Sequence, residues 1–228
     1  RLPEHRYSVI HNPVDGTVFR YREKTAEDRL RILSIRPYHS RVYANDLAVA
    51  AVLDLAAEPW FDELEFTFLG DGPLFEETIA PLRDLPNVTV RRGFLTHAQI
   101  AAEHARHGVL LVPSRSDTQG VSRDEAMSSG LVPITSAVAA IPEFVDEEVA
   151  FLAPPEDHRA LADAVRTLDH HVGQRPERRA RPVPDDRAQS GRRADAGDPP
   201  LEAVGVHARG LPEDGGAMPA GARDARVV

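Results

Sequence analysis

Short apolar runs alternate with helix-patterned stretches from Leu30 to Leu168, and this alternation constrains the fold of the chain more than any other feature. LRILSI (Leu30–Ile35), LEFTFL (Leu64–Leu69), VTVRR (Val88–Arg92), VLLVP (Val109–Pro113) and LVPIT (Leu131–Thr135) have strand length and strand composition, and Glu148–Leu152 is a shorter sixth candidate. Between the first two runs, Leu47, Ala48, Ala51, Val52 and Leu55 recur at helical spacing. Gly70-Asp71-Gly72 stops the second run. Pro73 then suits a helix first turn, with an apolar stripe from Leu74 to Leu82. Asp157 is a natural N-cap for a last helix carrying Leu161, Ala164, Val165 and Leu168. Strands alternating with helices predict βαβ units, and hence an α/β fold with a parallel sheet and helices on both faces. Ligands of such sheets bind beyond the carboxyl ends of the strands.

The pattern stops near His171. The 57 residues from Val172 onward contain no aromatic residue and no Ile, but 10 Arg, 10 Ala, 8 Gly and 7 Pro. A segment of that composition buries too little apolar surface to offset its ordering entropy, so residues 172–228 are expected to form a disordered tail. A single Lys (Lys24) accompanies 26 Arg, which points to a GC-rich gene. The tail reads either as a natural disordered segment or as such a gene translated out of frame.

Net charge is −9; the tail contributes +1 (10 Arg against 9 Asp and Glu), leaving −10 for the rest. That balance argues against a nucleic-acid partner held by a general basic surface. Cysteine is absent, which excludes disulfides and thiolate metal sites and fits a cytoplasmic location. No apolar run approaches the roughly 20 residues of a transmembrane helix.

The stretch VLLVPSRSDTQGVSRDEAMSSGLVPITSAVAAIPEFV (Val109–Val145) places a polar, glycine-containing loop between a strand and a helix. A strand opening through a loop onto a helix start is a general device for holding phosphate, because free backbone N–H groups and the helix dipole face the anion. Asp117 and Glu125 bracket the loop, with seven residues between them. In sequence order and spacing this stretch resembles the nucleotide-sugar signature of retaining GT-B glycosyltransferases of the family 4, or glycosyl transferases group 1, type. In that family two acids so spaced contact the donor. The resemblance covers residues 7–171 and implies one Rossmann-like half of a GT-B fold, the C-terminal donor-binding half. VIHNPVDGTVFRYRE is similar to the family's interdomain connector, so the expected partition is a connector (1–24), a nucleotide-sugar-binding domain (25–171) and the tail. An acceptor-binding half is then expected ahead of Arg1.

The resemblance implies roles for individual residues, each with a plainer alternative. Glu125 would accept hydrogen bonds from the ribose hydroxyls, since two carboxylate oxygens suit a vicinal diol. Its alternative is an acid placed for the helix dipole. Asp117, standing where the family usually has Glu, would contact the donor sugar and rank as catalytic, or serve as an Asx-type loop residue. Gln119, Gly120, Val121 and Ser122 would present backbone N–H groups to sugar and diphosphate, with the Ser122 hydroxyl alternatively capping the helix. Arg36 would be the catalytic cation for the donor diphosphate. Arg41 would be the second cation, where the family usually has Lys; both could instead be solvated loop charges. Gly70 and Gly72 correspond to a glycine turn beside the donor, or form only a tight turn. Phe75 at the third glycine position rules out a dinucleotide fingerprint. His104 and His107 are expected on a surface helix face rather than on a metal, and Pro142-Glu143 is expected to be structural.

The function so implied is binding of a nucleoside-diphosphate sugar for retaining transfer to a glycan or lipid-linked acceptor, as in polysaccharide assembly. No cofactor and no metal are expected. The location would be cytoplasmic, with peripheral contact at the inner face of the membrane, and this chain alone would turn over little or nothing. The rival readings are a non-catalytic nucleotide-sugar-binding or interaction module and another GT-B enzyme such as a sugar-nucleotide epimerase.

Overall fold

The computed structural model describes residues 10–171, and the expectations for the tail lie outside this range. Six strands form one sheet: β1 (Arg31–Ile35), β2 (Glu65–Gly70), β3 (Val88–Arg92), β4 (Val109–Val112), β5 (Val132–Ser136) and β6 (Phe151–Ala153). Their order is β3-β2-β1-β4-β5-β6 and every pairing is parallel. The helices are α1 (Ala26–Arg29), α2 (Asn45–Leu55), α3 (Phe75–Ile79), α4 (His97–Arg106), α5 (Val121–Ser128), α6 (Ile141–Phe144) and α7 (His158–His171).

Alternate strand residues feed two cores. Ile32, Phe66, Phe68, Val109, Leu111 and Ile134 pack on one face with Leu47, Ala48, Ala51, Val52 and Leu55 of α2 and Leu161, Ala162 and Val165 of α7. Leu33, Leu69, Leu110 and Val112 pack on the opposite face with Ala126 of α5 and Leu131. All four residues of β4 are buried, as a central strand covered on both faces requires. Fully burying one such side chain contributes about 1.5–3 kcal/mol, so a charge at Leu111 would break the sheet at its middle.

The differences from the sequence reading are local. Leu30 is the C-cap of α1 and its N–H bonds Asp28 O and Glu27 O, so β1 begins one residue later. Pro113 has no N–H to continue the ladder, and β4 ends at Val112. The helix expected to run through Leu82 stops at Ile79 and tightens into a 3₁₀ turn over Ala80–Leu82, with Pro81 at its start. The Asp157 cap is present: Oδ1 accepts from Ala160 N at 2.9 Å.

The segment ahead of α1 lies along the domain. Phe19 is 2% exposed and packs against the rings of His97 and His104. Lys24 Nζ donates to His104 O, Arg22 Nη1 to Ala105 O and Arg31 Nη1 to Arg106 O, so three basic side chains cap the last carbonyls of α4. Ser128 Oγ donates to Phe19 O at 2.7 Å.

Candidate functional site

In a sheet of this strand order the chain runs outward in both directions from β1 and β4, and the cleft at their carboxyl ends is where ligands bind. Arg36 follows β1 directly and is buried. Its Nη2 donates to Pro113 O across the switch point at 3.0 Å, and its guanidinium lies 5.4 Å from the Tyr43 ring centroid. Its Nε is buried with no partner. Burial lowers the Arg36 pKa, while the Asp117 carboxylate and Tyr43 act against that shift. Asp117 is therefore within electrostatic reach of Arg36.

The loop after β4 is held from both sides. Ser114 Oγ shares its one hydrogen between Ser116 O (2.9 Å) and Val42 O (3.2 Å), and Arg115 N donates to Val42 O. Arg115 also makes a two-nitrogen contact with the Asp46 carboxylate and another with Glu156. Asp117 Oδ1 accepts from Gln119 N (3.1 Å) and Gly120 N (2.8 Å), the plainer Asx-type arrangement. Two backbone amides expected to face the donor are thus occupied by the loop's own acid. Gly120 caps α5 in the left-handed region (φ 82°), so the helix starts at Val121. Val121 and Ser122 are its first two residues, whose N–H groups have no intrahelical acceptor. Ser122 lies inside the helix and does not cap it.

Glu125 is the fifth residue of α5, one past its first turn, and Asp124 is the first-turn acid. Glu125 is half-buried, and nothing among the described residues donates to its carboxylate. Burial raises its pKa, with His97 opposing and Asp124 adding to the rise.

Gly70 and Gly72 are buried beneath the β1–α2 loop. A Cβ at Gly70 would lie 1.9 Å from Arg36 O, and one at Gly72 would lie 2.3 Å from the Tyr38 carbonyl carbon. Their absent side chains leave room for the backbone that carries Arg36. Arg41 does not join Arg36: it pairs with Glu77 at 3.3 Å and is largely exposed, on the rim of a 270 Å³ groove between α2 and α3. The expected surface histidines are buried. His104 is 2% exposed and His107 5%; His107 bonds Glu103 O (2.7 Å) and Thr67 Oγ1 (3.1 Å). The cause is the Phe19 segment lying over α4 and the Arg91–Glu103 ion pair at its flank. Among the described residues no three His, Cys, Asp or Glu gather as metal ligands, and no helix is long and apolar enough to cross a membrane.

Arg123, which the sequence reading passed over, is 1% exposed beside Gly120. Its only sequence signal is a helical position three residues after the loop glycine, on the inward side of α5.

A doubly wound parallel sheet, with a buried arginine and a loop-capped helix start at its switch point, defines a Rossmann-like α/β domain. The chain belongs to the glycosyl transferases group 1 family, whose model matches residues 29–171. It is 29% identical over 164 residues to a sulfoquinovosyl transferase of Arabidopsis thaliana, covering 69% of this chain and 32% of that protein. It is 29% identical over 178 residues to the gpi3 subunit of the Schizosaccharomyces pombe phosphatidylinositol N-acetylglucosaminyltransferase, covering 73% and 38%. The chain thus spans about a third of the length of these relatives. Among solved structures, the C-terminal domain of the group 1 protein LpcC from Francisella tularensis aligns with a TM-score of 0.56 at 17% identity, over 71% of this chain and 93% of that one. TarM aligns with a TM-score of 0.54 at 16% identity, over 67% and 30%. These structural likenesses show the fold.

Proposed function

We propose that residues 25–171 bind a nucleoside-diphosphate sugar as the donor half of a retaining glycosyltransferase, with residues 1–24 leading to an acceptor-binding half. One observation carries this reading. The switch-point end of the sheet holds a buried cation with an unpartnered N–H (Arg36 Nε) and a half-buried carboxylate without a donor (Glu125). A ligand with a diphosphate and a ribose diol would offer an anion to the Arg36 guanidinium and hydroxyls to the Glu125 carboxylate. Arg36, the free N–H groups of Val121 and Ser122 and the α5 dipole would stabilise the departing diphosphate, a task that needs no metal. Asp117 keeps Oδ2 for a sugar hydroxyl while Oδ1 holds the loop. Gln119 and Gly120 then act through loop shape, Gly70 and Gly72 through the Arg36 backbone, and Arg41 becomes a second cation only by leaving Glu77.

The name of one relative includes phosphatidylinositol, a membrane lipid, which supports a lipid-linked acceptor and a peripheral position at the membrane. With the acceptor side in another half, this chain alone would bind donor weakly and turn over little. The engagement of Asp117 by its own loop favours one rival, a non-catalytic nucleotide-sugar-binding module. Absence of transfer by the enzyme joined to its acceptor half would select that rival. Calorimetric titration with UDP, GDP and ADP tests the donor reading. One of them should bind, and Glu125→Ala should weaken it by about 1–3 kcal/mol. Equal affinity in parent and variant would remove the ribose role from Glu125.

A further inference from the structure

A side-chain network joins the N-terminal segment to the loop after β4. The Gln119 amide pairs with the backbone of Asn12 in both directions: Asn12 N donates to Oε1 (2.8 Å) and Nε2 donates to Asn12 O (2.9 Å). Gln119 Nε2 also donates to Asp124 Oδ2 (3.2 Å). Arg123 closes the circuit, giving Nε and Nη2 to Asp124 Oδ1 (3.0 and 2.6 Å) and Nη2 to Gln119 O (2.6 Å). The Arg123 guanidinium lies 5.7 Å from the Phe144 ring centroid, and the edge of that ring meets His11 at 5.0 Å. Gly120 sits directly against this guanidinium: a Cβ there would approach Nη1 to 3.0 Å.

Burying an arginine this deeply costs several kcal/mol unless its partners are well placed. Here every partner belongs to the loop, to α5 or to α6, Nη1 has none, and the hydrogen bonds to Asn12, 107 positions from Gln119 in sequence, run through one amide. From this we infer that Gln119 and Arg123 are positioning residues that lock the Asp117–Ser122 loop to the N-terminal segment, so that a movement of that segment at Asn12 changes the shape of the loop and its affinity for a nucleoside diphosphate. The affinity clause rests on the donor reading above; the mechanical clause does not.

The Gly120 amide, held by Asp117 Oδ1, reports loop shape, and the Asn12 amide reports the lock. The test uses the full chain, with residue-resolved hydrogen exchange by NMR and titration with UDP, GDP and ADP. Asn12→Pro removes the donated N–H and fixes φ, Asn12→Ala keeps the N–H while losing the side chain, and Gln119→Met keeps side-chain length without hydrogen bonds. Asn12→Pro and Gln119→Met should each speed Gly120 exchange by up to about tenfold and weaken nucleotide binding to a similar degree, as expected when a part-buried hydrogen bond is lost. Asn12→Ala should match the parent. The double variant should go no further than Gln119→Met alone, because that substitution already removes both bonds to Asn12. A merely structural role would lower the global melting point without this selective, non-additive effect on Gly120. Unchanged Gly120 exchange in Asn12→Pro, or effects that multiply in the double variant, would overturn the lock. If no nucleotide binds the parent while the exchange pattern holds, the donor reading falls and the lock stands.

Discussion

Acid should unfold this domain partly through one histidine. His104 is 2% exposed, beneath Phe19, and its Nδ1 lies 3.2 Å from Ser129 Oγ. The Ser129 hydroxyl hydrogen is already committed to Glu125 O at 3.0 Å, so the ring carries its proton on Nδ1 and donates it. Burial, reinforced by Lys24 and His107, lowers the His104 pKa from 6.5 to about 4. The folded state therefore binds a proton less readily than the unfolded chain. The resulting stability is complete above pH 6.5 and is lost as the pH falls toward 4. At 1.36 kcal/mol per unit the full penalty is about 3 kcal/mol, of which about 2 kcal/mol is felt by about pH 5. Urea unfolding of the parent and of His104→Gln at neutral pH and at about pH 5 isolates this contribution. The variant should lose about 2 kcal/mol less on acidification, even if it is weaker at neutral pH. Parallel losses in the two proteins would refute the assignment.

Further outcomes are expected from the same structure. Tyr38 Oη is buried without a partner, so Tyr38→Phe should be neutral or stabilising by up to about 1 kcal/mol; a clear loss in urea would reveal a hydrogen bond at that oxygen. Gly72→Ala should cost about 3 kcal/mol by the same measure, because the new methyl meets the Tyr38 backbone at 2.3 Å at a φ of +148°; a stability near the parent's would mean that the β1–α2 loop yields. Transfer by the enzyme with its acceptor half should survive EDTA, and loss with recovery on added Mg²⁺ would place the charge neutralisation on a metal rather than on Arg36 and α5.

The sheet was legible because each strand is a short apolar run whose alternate residues, such as Ile32 and Leu33, serve opposite cores. The placing of Arg36 and Asp117 was legible for a related reason: residues just after strands in such folds gather at the carboxyl edge. What the sequence hid were pairings made across the fold. An arginine in SRDEAM looks solvated, and only Gln119, Asp124 and Phe144 together make Arg123 a buried residue. Arg41 has the right spacing from Arg36, but Glu77, 36 positions away, holds it elsewhere. HAQIAAEHAR has few apolar positions, so its burial depends on Phe19, a residue outside the helix. Capping boxes start α1 (Thr25 with Asp28) and α4 (Thr96 with Gln99), two signals that the sequence reading did not use.

The contacts made by Phe19, Arg22 and Lys24 also separate two boundaries. The family match begins at Arg29, whereas the packed body begins at least as early as Phe19. A chain trimmed to the family boundary would strip the aromatic lid from His104 and leave the last carbonyls of α4 without two of their three basic caps. It would let water reach the ring that burial now keeps neutral, so its acid sensitivity would resemble that of a protein with no histidine in its core. Evolutionary edge and mechanical edge differ here by roughly three helical turns of chain length, and an experiment that dissects the domain by alignment alone would be measuring a different folding unit.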